Sequence, residues 1–275
     1  MIFYCFLVTT TDAVVALAER IGGTEENFVK MMNDKAKELG LKDTNFKNCH
    51  GLDEKDHYSS ANDMAIIAKE LVKHNKILKY SSIYETYLRK GTDKQIWLVN
   101  TNKLVRFKKG VDGLKTGYTE NSGYCLTATM KQDNMRLIAV VLGEPSSEIR
   151  NNEISNMLDY GFSQYKLDTL FKKDSVIENI NLENSNIDKV GVVPISDVTV
   201  LKRKIDNKKI DYRIEYNKLN DNIKRGEIIG KIILKSDNND IKSIDLTINK
   251  DVKRASYFIL FGRNIKKIIT GNINI

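Results

Sequence analysis

The sequence predicts an α/β fold of the α+β kind: an antiparallel sheet flanked by helices, followed by a small all-β domain. Three observations predict it. Amphipathic helical stripes mark residues 12–39 and 60–72. The run Gly110-Val111-Asp112-Gly113-Leu114-Lys115-Thr116-Gly117-Tyr118-Thr119 then leads into two apolar stretches, 124–130 and 135–143. These read as strands joined at Lys131-Gln132-Asp133-Asn134, which suits a hairpin turn. From residue 170 to 249 short β-like runs dominate, separated by turn residues at the spacing of a small sandwich.

The elements follow in order. Thr9-Thr10-Thr11 and Asp12 open a helix whose apolar stripe is Ala13, Val14, Ala16, Leu17 and Ile21, and Gly22-Gly23 ends it. Thr24 is a good N-cap for the next helix, with Glu25 and Glu26 favourable to the dipole of its first turn. Phe28, Met31, Met32, Ala36 and Leu39 line one face of that helix, and Gly40 closes it. Residues 41–59 are irregular. Ser59 or Ser60 caps a third helix, where Met64, Ile67, Ala68, Leu71 and Val72 recur at helical spacing. Residues 83–88 and 95–99 read as short strands around a Gly91-Thr92-Asp93 turn. Residues 148–160 read as a helix after the central hairpin. Residues 252–269 carry Tyr257, Phe258, Phe261, Ile265, Ile268 and Ile269 on one helical face, opposite Arg254, Arg263, Lys266 and Lys267. That pattern fits a basic amphipathic helix on an anionic membrane, or a terminal helix docked on its own domain.

Composition narrows the function classes. With 41% apolar and 29% charged residues, the 275-residue chain reads as globular. The net charge of +8 comes from lysines spread along the chain. No aromatic-and-basic strand motif or recognition-helix pattern accompanies it, so nucleic acid is not the expected partner. Cys5, Cys49 and Cys125 form no Cys-x-x-Cys pair, so neither zinc nor redox chemistry is suggested and no cofactor is expected. No apolar run reaches the length of a membrane span. Residues 1–8 are apolar but lack a basic start and a cleavage site. They read as a core strand or the start of a buried helix rather than as a signal peptide.

The chemistry centres on Lys115-Thr116-Gly117. A lysine supplies positive charge and a threonine a hydroxyl donor. A glycine lets a ligand backbone lie flat against a strand edge, where a side chain would block it.

The chain resembles the low-molecular-weight penicillin-binding proteins, the serine-type D-alanyl-D-alanine carboxypeptidases. The resemblance is carried by residues 12–19, by Asn48-Cys49-His50-Gly51-Leu52-Asp53 with His57-Tyr58-Ser59, and by Asn100-Thr101-Asn102-Lys103-Leu104. Residues 110–119, Gly123-Tyr124, residues 135–143 and Tyr160-Gly161-Phe162 continue it in the family's order. Residues 170–249 are similar, more loosely, to the family's C-terminal β-domain. The resemblance implies an incomplete β-lactamase/transpeptidase-like domain at 1–166, a β-sandwich domain at 170–249, and an amphipathic membrane-anchor helix at 252–269.

The same resemblance implies a function and its residues. Family members trim the terminal D-Ala from peptidoglycan stem peptides ending in D-Ala-D-Ala, in cell-wall biogenesis at the extracytoplasmic face of the bacterial membrane. β-Lactams mimic that dipeptide and stall at the acyl-enzyme. The chemistry needs a Ser-x-x-Lys nucleophile, a Ser-x-Asn and a Lys-Thr-Gly. Lys115, Thr116, Gly117 and Thr119 match the substrate-binding strand, and Arg150 falls where members can carry an arginine that helps hold the terminal carboxylate, the alternative being a solvent-exposed helix arginine. Thr9-Thr10-Thr11 stands at the Ser-x-Asn position. Thr9 would supply a hydroxyl there, and Thr11 lacks the carboxamide. The single Ser-x-x-Lys string, Ser163-Gln164-Tyr165-Lys166, follows the Lys-Thr-Gly and reads as coincidence in a linking stretch. His50, His57, Asp53 and Asp56 read as groups that shape or solvate their loop, and Cys125 as a small buried strand residue. The expectation is therefore a family member truncated at the N-terminus that forms no acyl-enzyme as written. The alternative is a non-catalytic peptidoglycan-binding or membrane-associated module.

Overall fold

The computed structural model describes residues 11–206, 210–236 and 239–269. Thr9 and the apolar run 1–8 lie outside the described residues. The chain divides after Gln164 into two compact units.

The first unit begins with α1 (Thr11–Gly22) and α2 (Glu25–Glu38). Gly23 turns the chain at φ +81°, a conformation that costs glycine little. Thr24 Oγ1 then accepts the Asn27 backbone N–H at 3.1 Å and caps α2. α3 (Ala61–Leu71) is capped in the same way, with Ser60 Oγ accepting from Asp63 N at 3.2 Å. α4 (Asn75–Ser81) precedes an antiparallel hairpin of β1 (Glu85–Leu88) and β2 (Ile96–Val99), and α5 (Leu104–Phe107) follows.

The sheet of this unit is β3 (Val111–Thr119), β4 (Gly123–Gln132) and β5 (Met135–Glu144), antiparallel and in that order. β4 is buried on both faces, with Leu126, Ala128 and Met130 on one and Thr127 and Thr129 on the other. α6 (Ser147–Gln164) packs on β4 and β5 through Ile154, Leu158 and Phe162. A Cβ at Gly161 would lie 2.5 Å from Leu137 Cδ1, so glycine is what lets helix and sheet approach there. Arg136 on β5 reaches across β4, forks onto Asp112 of β3 at 2.7 and 2.8 Å, and also donates to Thr129 Oγ1 at 2.8 Å.

Two buried asparagines deliver the chain into β3. Asn100 Nδ2 donates to the carbonyls of Ser81 and Ile83, and Asn102 Nδ2 to that of Gly113 at 3.1 Å. Asn102 Oδ1 accepts from Leu104 N at 3.2 Å.

The second unit opens with β6 (Tyr165–Phe171), then β7 (Glu178–Asn181), β8 (Lys189–Pro194) and β9 (Val198–Arg203). β10 (Asp211–Tyr216), β11 (Gly230–Ser236) and β12 (Asn239–Ile248) complete it. One antiparallel sheet runs β10-β11-β12-β8-β7, and β6 pairs with β9. Val190, Val192, Val198, Ile232, Leu234, Leu246 and Ile248 are fully buried between these strands. The stretch after Ser163, read from sequence as a link, is the strand β6. It follows α6 directly, with no Gly or Pro to mark the change of period.

α7 (Tyr257–Ile269) ends the described chain. Tyr257, Phe258, Phe261 and Ile268 are exposed on it. Arg263, assigned from sequence to the charged outer face, instead docks the helix: its guanidinium donates to the carbonyls of Glu183 (3.0 Å) and Ser185 (2.9 Å) and pairs with Asp188. Among the described residues no helix is long and apolar enough to cross a membrane.

Candidate functional site

β3 is an edge strand: among the described residues it pairs with β4 alone. Beside it opens a cleft of about 710 Å³. Its walls come from five places: Thr11 at the start of α1, His50 to Leu52, Thr101 and Lys103, residues 115–118 with Tyr124, and Ser147 with Arg150 at the start of α6. The structure thus brings Lys115, Thr116, Gly117, Arg150 and Thr11 to one cavity from distant points in the sequence.

Two cations converge there. Lys115 Nζ donates to Thr101 Oγ1 (3.2 Å), the Thr116 carbonyl (3.0 Å) and Thr116 Oγ1 (3.3 Å), all neutral acceptors. The Thr101 and Thr116 hydroxyls are 2.6 Å apart. Arg150 is only 5% exposed, and its Nε and Nη2 donate to Asn151 Oδ1 at 3.2 and 3.0 Å. Its guanidinium carbon lies 6.0 Å from the centre of the Tyr124 ring. Among the described residues no carboxylate neutralises either cation. Burial, with the positive charge of Arg150 adding to it, pushes the Lys115 amine from 10.5 down to about 8, and burial also lowers Arg150. A buried arginine beside a half-buried lysine, with no carboxylate paired to either among the described residues, is a site prepared for an anion.

A pH dependence follows. Lys115 keeps its proton below about pH 8, so attraction for a carboxylate is full there and falls as pH rises through that value. Affinity for a carboxylate ligand is expected to drop about 50-fold, or ~2.3 kcal/mol, between pH 7 and 10. A calorimetric titration series checks this, and Lys115→Met is expected to remove the dependence. Stability runs the other way. The unfolded lysine titrates near 10.5 and the folded one near 8, so the unfolded state holds more protons between these values and stability rises with pH across them.

The rest of β3 shapes the edge. A Cβ at Gly117 would meet nothing closer than Cys125 Cβ at 3.8 Å, so the fold itself tolerates a side chain there. The Tyr118 and Tyr124 rings lie 4.4 Å apart. Thr119 does not line the cleft. Its Oγ1 donates to Asp53 Oδ1 at 2.8 Å and accepts from Ser122 N at 3.0 Å. Asp53, read from sequence as solvating its loop, is therefore bonded to the end of β3, and Asn121 Nδ2 donates to it as well at 3.0 Å.

Other reactive groups are occupied. His57 Nδ1 accepts from Lys47 N (3.0 Å) and His50 Nδ1 from Leu52 N (3.3 Å), so both rings brace their loop. Cys49 Sγ donates to Glu25 Oε1 at 3.2 Å, and burial with that carboxylate pushes the thiol up to about 11. Cys125 is half-buried on β4. Ser163 Oγ donates to the Tyr160 carbonyl at 2.8 Å, and Lys166 pairs with Asp168 at 3.2 Å. The helix ends between those two residues, so this Ser-x-x-Lys does not sit on one helical turn. Thr101 is the residue that sequence reasoning passed over. Its only signal was its place inside Asn100-Thr101-Asn102.

An edge strand carrying Lys-Thr-Gly, backed by a buried arginine and followed by a separate β unit, defines a class that sequence comparison also identifies. The chain belongs to the D-alanyl-D-alanine carboxypeptidase family: residues 1–146 match that family and residues 165–254 match the penicillin-binding protein 5 C-terminal domain. Among relatives, it is 43% identical to the D-alanyl-D-alanine carboxypeptidase DacF of Bacillus subtilis, over 94% of this chain and 67% of that protein. It is 35% identical to the carboxypeptidase DacA of Haemophilus influenzae, over 92% of this chain and 64% of that protein. It thus spans about two thirds of the length of these relatives. The crystal structure of penicillin-binding protein 5 from Haemophilus influenzae superposes with a TM-score of 0.69 at 33% identity, covering 92% of this chain and 73% of that one.

Proposed function

We propose that the cleft along β3 recognises peptidoglycan stem peptides ending in D-Ala-D-Ala, as part of a serine-type carboxypeptidase acting on the cell wall at the extracytoplasmic face of the membrane. The observation that carries this reading is the convergence of Lys115 and Arg150 on the edge of β3, with no carboxylate paired to either among the described residues. The terminal carboxylate meets Lys115, the Thr116 hydroxyl and Arg150. The peptide backbone then lies along the strand edge, where Gly117 leaves room for it.

In the family's reaction a serine attacks the D-Ala-D-Ala bond, D-alanine leaves, and water releases the acyl group. The groups described here bind and orient the substrate for that step. Ser163 and Lys166, the one Ser-x-x-Lys in these 275 residues, lie on different elements and do not supply the nucleophile. The chain is therefore expected to bind a β-lactam without forming a covalent adduct. Intact mass after incubation with benzylpenicillin checks this, and a stoichiometric adduct contradicts it.

Gly117→Ala separates ligand room from folding. It is expected to leave stability within about 0.5 kcal/mol, because no protein atom crowds that Cβ. It is expected to weaken peptide binding about tenfold, or ~1.4 kcal/mol. Thermal melts and calorimetry on the same variant check both halves.

α7 supports a membrane contact. Tyr257 and Phe258 are 74% and 83% exposed on a helix docked by Arg263, so among the described residues these aromatic side chains are left uncovered. Co-sedimentation with anionic phospholipid vesicles is expected for the chain, and Phe258→Asp with Phe261→Asp is expected to reduce it at least tenfold. Equal sedimentation of both proteins contradicts the membrane reading.

A further inference from the structure

We propose that Asp53 is a positioning residue that makes the cleft a groove for an extended peptide longer than the terminal dipeptide. This rests on the reading of the cleft as a D-Ala-D-Ala site. The Asp53 carboxylate accepts from Thr119 Oγ1 and Asn121 Nδ2, residues 66 and 68 positions away, and so joins the loop before it to the end of β3.

The loop is already a fixed piece. Asn48 is 6% exposed, accepts from Gly51 N at 2.8 Å and donates to the Leu52 carbonyl at 3.0 Å. Gly51 makes the turn at φ +82°. Between that turn and the Asp53 latch stands Leu52, which lines the cleft while 53% exposed. Two hydrogen bonds to Asp53 hold an apolar side chain over the cleft with a face left open.

Distance along the strand says which ligand reaches the Asp53–Thr119 latch. Thr119 is four residues beyond Lys115, about 13 Å at the ~3.3 Å rise of a strand. A dipeptide with its carboxylate at Lys115 and Arg150 spans about 7 Å and stops short of the latch. A five-residue peptide spans about 17 Å and reaches it. Its upstream residues then lie against Leu52, whose chemistry suits an aliphatic side-chain stem. The carboxylate end sets binding as such, and the latched loop sets the preference for length.

The test is a pair of calorimetric titrations of the 275-residue chain, with N-acetyl-D-alanyl-D-alanine and with a five-residue peptide of the same C-terminal end. The unaltered chain is expected to bind the longer peptide at least tenfold more tightly. Asp53→Ala is expected to remove that preference while changing the dipeptide affinity less than twofold, a split that general loosening of the fold does not produce. Asn121→Ala, which deletes one of the two bonds at an exposed position, is expected to remove part of the preference, and it decides the matter if Asp53→Ala does not fold. Equal affinities for the two ligands in the unaltered chain, or equal losses for both ligands in the variants, overturn the role of Asp53 and leave the cleft reading standing. Binding of neither ligand by the folded chain overturns both.

Discussion

Lys115→Met is expected to weaken binding of a D-alanyl-D-alanine peptide about 100-fold, or ~2.7 kcal/mol, while raising the melting temperature of the first unit. Both effects come from one arrangement. The Lys115 ammonium is desolvated, bonded among the described residues to neutral oxygens, and repelled by Arg150. Its displacement from 10.5 to about 8 corresponds to roughly 3 kcal/mol at most of unfavourable free energy in the charged form near neutral pH. A ligand carboxylate supplies the missing counter-charge and recovers that energy. Methionine keeps the length of the side chain and removes the charge, so the empty site relaxes. A gain of about 1–2 kcal/mol after screening corresponds to a rise of several degrees in a unit of this size. Calorimetric titration and a thermal melt of the same preparation measure the two. A variant that loses binding and also melts lower would make Lys115 a structural residue.

Asn102→Ala is expected to destabilise the first unit by about 3 kcal/mol, lowering its melting temperature by roughly 6–12 °C. Asn102 is fully buried and joins two segments: its Nδ2 donates to the Gly113 carbonyl and its Oδ1 accepts from Leu104 N. Alanine leaves both of those groups unpaired in the interior and opens a small cavity. Gly113 lies two residues before Lys115 on β3, so the substitution also loosens the lysine, and ligand affinity is expected to fall severalfold well below the melting point. Asn102→Asp keeps the acceptor for Leu104 but sets a buried carboxylate against the Gly113 carbonyl, so at neutral pH it is expected to destabilise at least as much as alanine. A melting temperature within 2 °C of the parent for the alanine variant would show that β3 is held by other means.

These residues also show what a sequence can and cannot disclose. Thr24 and Ser60 were legible as caps because a cap is local: a side-chain oxygen bonds a backbone N–H three residues on. β4 and β5 were legible because an apolar run, a polar turn and a second apolar run lie in one contiguous stretch. α4 was not, since His74 at its N-cap makes no side-chain cap bond and the helix has only 7 residues. β6 was not, because it follows α6 without punctuation. The same division holds in the cleft. Lys115, Thr116 and Gly117 stood out because three useful residue types are adjacent. Arg150 came from family resemblance, and its burial became visible only once α6 was packed on the sheet. Thr101 reaches Lys115 across 14 positions and Asp53 reaches Thr119 across 66. Neither pairing leaves a periodic or local mark in the chain.

The proposed carboxylate site joins Lys115 and Arg150 at the edge of β3. The most direct measurement is calorimetric titration of the chain at pH 7 with N-acetyl-D-alanyl-D-alanine and, separately, with its methyl ester. Saturable binding of the free acid, and affinity at least 30-fold (~2 kcal/mol) weaker for the ester, is the expected result. Equal affinity for acid and ester, or no binding of the acid by the folded chain, would contradict it.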